Sequence, residues 1–133
     1  MSSRGLQQEV DALLKETNEL GGYPSSLVCT DEGLVIASAG EVDDEDTAAF
    51  VSLFDDVLMR ARRDLGFAAV DEVTLLDPGR GRTVIRPLAI DSANHTLFLV
   101  VRVPTRKTWR RHTNTLVKRL GEVLLPLVEG VAA

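Results

Sequence analysis

Two histidines, one cysteine, a run of acids and a cluster of arginines and lysines are the side chains of this 133-residue chain with the most chemistry to offer. His95 falls in a turn and His112 on the polar flank of a helical pattern, and neither sits at a spacing that zinc sites or Ser-His-Asp triads use. Cys29 is alone inside an apolar run, so neither a disulfide nor a cysteine-based metal site can form within one chain. The acids between Glu41 and Asp46 lack the alternating spacing and central glycine of a calcium loop. They suit the start of a helix, where Asp43 or Asp46 can cap free N–H groups and carboxylates meet the positive end of the dipole. Gly79-Arg80-Gly81-Arg82 has the composition of a phosphate loop, but no Gly-Lys-Ser/Thr follows and the next pattern is a strand, so it reads as a turn. No set of residues is left for catalysis, for a cofactor or for a metal, and the chain reads as a non-enzyme.

The basic cluster is the more suggestive group. Arg102, Arg106, Lys107, Arg110 and Arg111, with Lys118 and Arg119 further on, crowd the start of the last helical pattern. Cations there oppose the helix dipole at about a few tenths of a kcal/mol each. An acidic protein surface, anionic head groups, nucleic acid or plain solvation can each answer them. The acidity of the whole chain, net −5, and the place of Trp109 on an apolar stripe weigh against nucleic acid. Residues 1–59 hold two basic and thirteen acidic side chains, and residues 60–133 hold thirteen basic and seven acidic. Such asymmetry marks either a charged partner or helices that neutralise each other when packed together.

The elements that must position these groups are legible from hydrophobic spacing. Leu6, Val10, Leu13, Thr17 and Leu20 recur at helical intervals until Gly21-Gly22 and Pro24 stop the pattern. Leu27-Val28-Cys29 and Leu34-Val35-Ile36 are strand-like runs joined through Thr30-Asp31-Glu32-Gly33, with Gly33 placed for a positive φ, which predicts a β-hairpin. From about Thr47 to Leu65, Leu53, Val57, Phe50, Ala61, Phe54, Leu65, Leu58 and Val51 cover roughly 160° of a helix, wider than the ~100° that one sheet needs. That helix is either sunk in its own core or covered on one flank by a second subunit. Val70–Leu76, Arg82–Ile90 and Thr96–Val103 then read as a three-stranded meander turning at 78–81 and 91–94. Leu97–Val101 is apolar on both faces and belongs in the middle of the sheet, whereas the mixed Val70–Leu76 and the Pro87-containing strand belong nearer an edge. A last amphipathic helix begins after Pro104 with Trp109, Leu116, Leu120, Val123, Leu124 and Leu127 on one side, and Pro126 should kink or fray its end. A chain of this size is one domain, 1–133. No apolar run approaches the roughly 18 residues of a membrane span, and the expected home is the reducing cytoplasm.

The order helix, hairpin, helix, meander, helix, with Leu27–Ser38 running apolar strand, Asp-Glu-Gly, Leu-Val-Ile-Ala-Ser, resembles the Roadblock/dynein light-chain family and its bacterial MglB-like branch. In this chain Glu32 stands inserted between Asp31 and Gly33 of that signature. The resemblance covers about Leu6 to Leu125. It implies an α+β fold, an αββαβββα three-layer sandwich whose five-stranded antiparallel sheet carries the middle helix on one face and the terminal helices on the other. It implies homodimerisation through the middle helix and the third strand, which places Val51, Asp55, Leu58 and Arg62 with Val73 and Leu75 at the seam. It also implies a partner, a Ras-like (MglA-like) small GTPase, whose GTP hydrolysis such a protein stimulates or which it scaffolds into a signalling complex. Arg106, Lys107, Arg110 and Arg111 are then the candidate partner-binding cations. The alternative is a ligand-sensing or nucleic-acid-associated module using the basic patch of residues 102–119.

Overall fold

The computed structural model describes residues 3–41, 44–88 and 96–130, with side chains over 5–41, 46–88 and 96–125. The elements run α1 (Ser3–Gly21), β1 (Ser25–Thr30), β2 (Val35–Gly40), α2 (Asp44–Leu65), β3 (Val73–Asp77), β4 (Gly81–Leu88), β5 (Leu97–Val103) and α3 (Arg110–Gly130). The strands form one antiparallel sheet in the order β2-β1-β5-β4-β3. This is the αββαβββα sandwich that the spacing and the resemblance lead one to expect.

The sheet is central because its strands have two apolar faces. On β5, Leu97, Leu99, Val101 and Val103 join the cluster formed by α1 and α3, while Phe98 and Val100 join the cluster under α2. Strict alternation of side chains across a strand makes this possible. The same alternation on β1 sends Val28 to α1 and α3 and Leu27 and Cys29 to α2. Leu14, Leu116, Leu120 and Leu124 are fully buried on the two-helix side. Each contributes about 1.5–3 kcal/mol of transfer free energy.

Local chemistry fixes the joins. The Tyr23 N–H donates to the Asn18 carbonyl (2.9 Å) across Gly22, whose φ is 71°, so α1 ends in a left-handed glycine cap. In the hairpin, the Thr30 hydroxyl oxygen accepts from the N–H groups of Glu32 and Leu34 (both 3.2 Å). Gly33, at φ 88°, brings the turn against α2, since a Cβ there would lie 3.3 Å from the Ala48 carbonyl oxygen. A side chain at that position would therefore strain the turn and push the helix away.

Several boundaries differ from expectation. β3 begins at Val73 rather than Val70, because residues 66–72 form a connector held to α3 instead of a strand. Pro87 lies inside β4 opposite Phe98, beyond the stretch Gly81–Ile85 that β3 pairs, so its missing donor falls where β4 has only one neighbour. α3 begins at Arg110, not directly after Pro104: the Lys107 N–H closes a turn on the Pro104 carbonyl (3.0 Å) and the Trp109 carbonyl accepts from the Thr113 N–H (2.8 Å). Leu20, placed on the apolar stripe of α1, is instead 66% exposed in its last turn. The turn at 91–94, His95 and the Asp43 cap lie outside the described residues, as do the side chains around Pro126, where the backbone stays helical to Gly130.

Candidate functional site

α2 is where the fold leaves its apolar surface unfinished. Ala48, Val51, Phe54 and Leu58 are buried against Leu27, Cys29, Ile85, Phe98 and Val100. On the neighbouring flank Phe50, Leu53 and Val57 remain 49%, 63% and 48% exposed. Phe50 meets Phe54 edge-on at 5.3 Å, so the exposed flank runs directly into the buried one. Register places Leu75, Thr83 and Arg102 in one row across the sheet, one pleat beyond the row Val73, Ile85 and Val100 that α2 covers. Leu75 is exposed, and among the described residues no strand neighbours the outer side of β3. An apolar helix flank, an exposed leucine on the sheet and a free strand edge thus belong to the same layer of the molecule. A continuous surface of that kind marks an association site.

The six residues assigned to a seam in the sequence fall in different environments. Val51 and Leu58 are buried against the chain's own sheet, Asp55 and Val73 are half-buried, and Arg62 and Leu75 are exposed. Burial pushes the Asp55 carboxyl above its ordinary range, the nearby Asp31 adds to the rise, and Arg62 opposes it. Asp55 therefore looks toward the hairpin, on the flank opposite Phe50, Leu53 and Val57. Those three belong to the wide arc, at the margin away from Asp55 and Arg62, and their spacing alone does not single them out.

The basic cluster divides in two. Arg106 and Lys107 are exposed in the turn before α3, and Arg110 and Arg111 are exposed in its first turn. Trp109 is half-buried: its indole N–H donates to Glu72 Oε1 (2.9 Å), and the Arg82 and Arg110 guanidinium groups lie 4.4 and 5.4 Å from its ring centre. Arg110 Nε is 3.9 Å from Glu72 Oε2. Beside it the buried Arg86 donates from Nη2 to Asp71 Oδ1 (2.9 Å) and from Nη1 to Thr113 and Asn114, tying the 66–72 connector to α3. Asp71, Glu72, Arg86, Arg110 and Asn114 line a cleft of about 540 Å³ with Phe67, and its charges are bonded to one another rather than aimed at a common point. Between the acidic α1 and the basic α3, Arg119 reaches Glu16 at 3.4 Å, both well exposed.

Burial pushes the Cys29 thiol up to about 12, so it carries no thiolate near neutrality. His112 is half-buried with its ring edge-on to Tyr23 at 6.2 Å. Among the described residues no group of three or more His, Cys, Asp or Glu could hold a metal ion, and no helix is long and apolar enough to cross a membrane.

No protein-family model and no curated protein matches the sequence. Solved structures do resemble the fold: the Roadblock/LC7 domain of Streptomyces avermitilis superposes with a TM-score of 0.61 at 12% identity, over 92% of this chain and 98% of that one, and LokiProfilin1 of an actin complex with 0.53 at 14%, over 96% and 98%. The likeness is greater to MglB. Myxococcus xanthus MglB gives 0.70 at 13% identity over 92% and 90% of the two chains, and the gliding protein MglB of Thermus thermophilus gives 0.70 at 18% over 94% and 92%. The chain has a Roadblock, MglB-like fold.

Proposed function

We propose that this protein is a homodimeric regulator or scaffold for a Ras-like, MglA-like small GTPase, acting by binding and not as a hydrolase itself. The observation that carries the reading is the exposed apolar flank of α2, set beside the free edge of β3 in an MglB-like fold. In this reading the dimer seam runs along Phe50, Leu53 and Val57, with Val73 and Leu75 from β3. Val51 and Leu58 hold the helix from beneath, and Asp55 and Arg62 lie toward the seam's far margin. Pairing two such flanks removes apolar surface that a lone subunit leaves in water, at about 25 cal/mol per Å². It also gives β3 a neighbour for its free edge.

The test is a pull-down of a Ras-like GTPase from the same cell, loaded with GDP or with a non-hydrolysable GTP analogue, followed by GTP turnover with and without this protein. Binding that prefers one nucleotide state is expected, with turnover raised if the protein is an activator and unchanged if it is a scaffold. Equal failure to bind in both nucleotide states overturns the reading.

A further inference from the structure

Among the described residues the sheet has a second edge without a neighbouring strand, at β2. Its sequence, Val35-Ile36-Ala37-Ser38-Ala39-Gly40, holds none of the charges or prolines that blunt an edge. An extra residue, Ile36, bulges near the hairpin end and leaves Ser38–Gly40 regular. Which backbone groups are free follows from the register. The Asp31 N–H donates to the Thr96 carbonyl and the Thr30 N–H to the Leu34 carbonyl (both 2.9 Å), so the odd-numbered residues of β1 bond to β5 and the even-numbered ones to β2. Ser26 therefore bonds inward to Ala39, and the N–H and C=O groups of Ser38 and Gly40 point away from β1. Beside them runs a groove of about 400 Å³, with Ser38, Ala39 and Gly40 on one wall and Asp11, Lys15 and Glu19 of α1 on the other. The Asn18 Nδ2 donates to the Ala39 carbonyl (3.2 Å) and holds α1 alongside the strand.

We propose that an extended peptide of a partner protein, with lysine or arginine at two positions four residues apart, adds to β2 as a sixth strand and lies in this groove. Asp11 and Glu19 are about 12 Å apart along α1, and residues i and i+4 of a strand stand on one face about 13 Å apart, so two basic side chains reach the two carboxylates. Lys15, midway between those carboxylates, disfavours a third cation at i+2. Main-chain bonds to Ser38 and Gly40 supply affinity, and the pair of basic side chains sets the register. Charge decides the occupant. Asp31 and Glu32 at one end of β2 and Glu41 at the other extend the acidity of the groove, against Lys15 and against Lys107, which runs over Gly22. β2 also belongs to the half of the chain, residues 1–59, that holds thirteen acidic and two basic side chains. Pairing β2 with β2 of a second copy brings two such halves together, and their like charges oppose it; an acidic peptide or a nucleic acid meets the same repulsion. β2 and β3 are opposite edges of the sheet, so this docking is independent of the proposed function.

The probe is a synthetic peptide of about ten residues, threonine and valine except for lysine at two positions four apart, titrated with the full chain at low ionic strength and read by fluorescence anisotropy. The lysine peptide should bind, and the same peptide with glutamate in place of both lysines should bind about tenfold more weakly or worse. Asp11→Lys with Glu19→Lys should reverse that preference, and the reversal itself shows that the variant is folded. Methylating the backbone nitrogens of every second residue of the lysine peptide tests strand addition directly, since only alternate residues of a strand bond to a given neighbour. One of the two alternate sets should abolish binding and the other should leave it. Absence of binding by the lysine peptide, equal binding of the lysine and glutamate peptides, a preference untouched by Asp11→Lys with Glu19→Lys, or an equal response to the two methylated sets overturns the proposal.

Discussion

The sheet has two covered faces, and they are finished to different degrees. On one face α1 and α3 lie side by side, and Val10, Leu14, Leu116, Leu120 and Leu124 vanish between them and the strands. On the other face α2 lies alone; it buries Val51, Phe54 and Leu58 and leaves Phe50, Leu53 and Val57 in water. The geometry accounts for the difference. Five strands spaced about 4.8 Å apart make a face about 20 Å wide. Two helices packed 8–10 Å apart cover that width, and one helix does not. Among the described residues the α2 face is a core cut short, and in the proposed dimer a second subunit completes it.

The contrast breaks first at the closed face. Leu120→Ala should cost about 2–5 kcal/mol in a denaturant titration, because the cavity opens between α1, α3 and the sheet where nothing can move in. Leu53→Ala, a change of the same chemistry on the open face, should move the unfolding of the dilute chain by no more than about 0.5 kcal/mol. Equal losses at the two positions would mean that α2 is sheltered within a single subunit after all.

Assembly reverses the ranking. Phe50→Glu combined with Leu53→Glu should weaken self-association about a hundredfold or more, read as a shift to the smaller species in sizing at constant protein concentration, since central apolar anchors are each worth about 2 kcal/mol. Val51→Glu should instead unfold the subunit, because it places a carboxylate in a fully buried site without a partner. A double variant at Phe50 and Leu53 that keeps the wild-type sizing profile would sink the α2 seam.

Much of this contrast is written in the sequence. The spacing of residues 50–65 gives the width of the apolar arc, and Leu97–Val101 identifies the strand buried on both faces. The position of the sheet under α2 is not local information, so the arc alone does not say that Val51 and Leu58 point inward and Phe50 and Leu53 outward. Trp109 shows the same limit: its spacing places it on an apolar stripe, but its indole N–H needs an acceptor, and that acceptor is Glu72, 37 residues away. Arg86, set between apolar strand residues, reads as an interruption until Asp71, Thr113 and Asn114 converge on it from two other segments.

The smallest expected effect tests which flank of α2 the hairpin occupies. Burial and the neighbouring Asp31 raise the Asp55 carboxyl, so the folded chain holds that proton more tightly than the unfolded chain does. Stability contributed by the protonated form is then present at pH values below the unfolded carboxylate range and is lost as pH rises through the raised value. Asp55→Asn removes the titrating group. It should stabilise the fold slightly at neutral pH, and the gain over wild type should shrink as pH falls through the carboxylate range. Asp31→Asn should reproduce part of that gain with Asp55 intact, because one like charge has been taken away. If stability against pH is the same for wild type and Asp55→Asn, the carboxyl faces open water, the hairpin does not cover that flank, and α2 has two free sides instead of one.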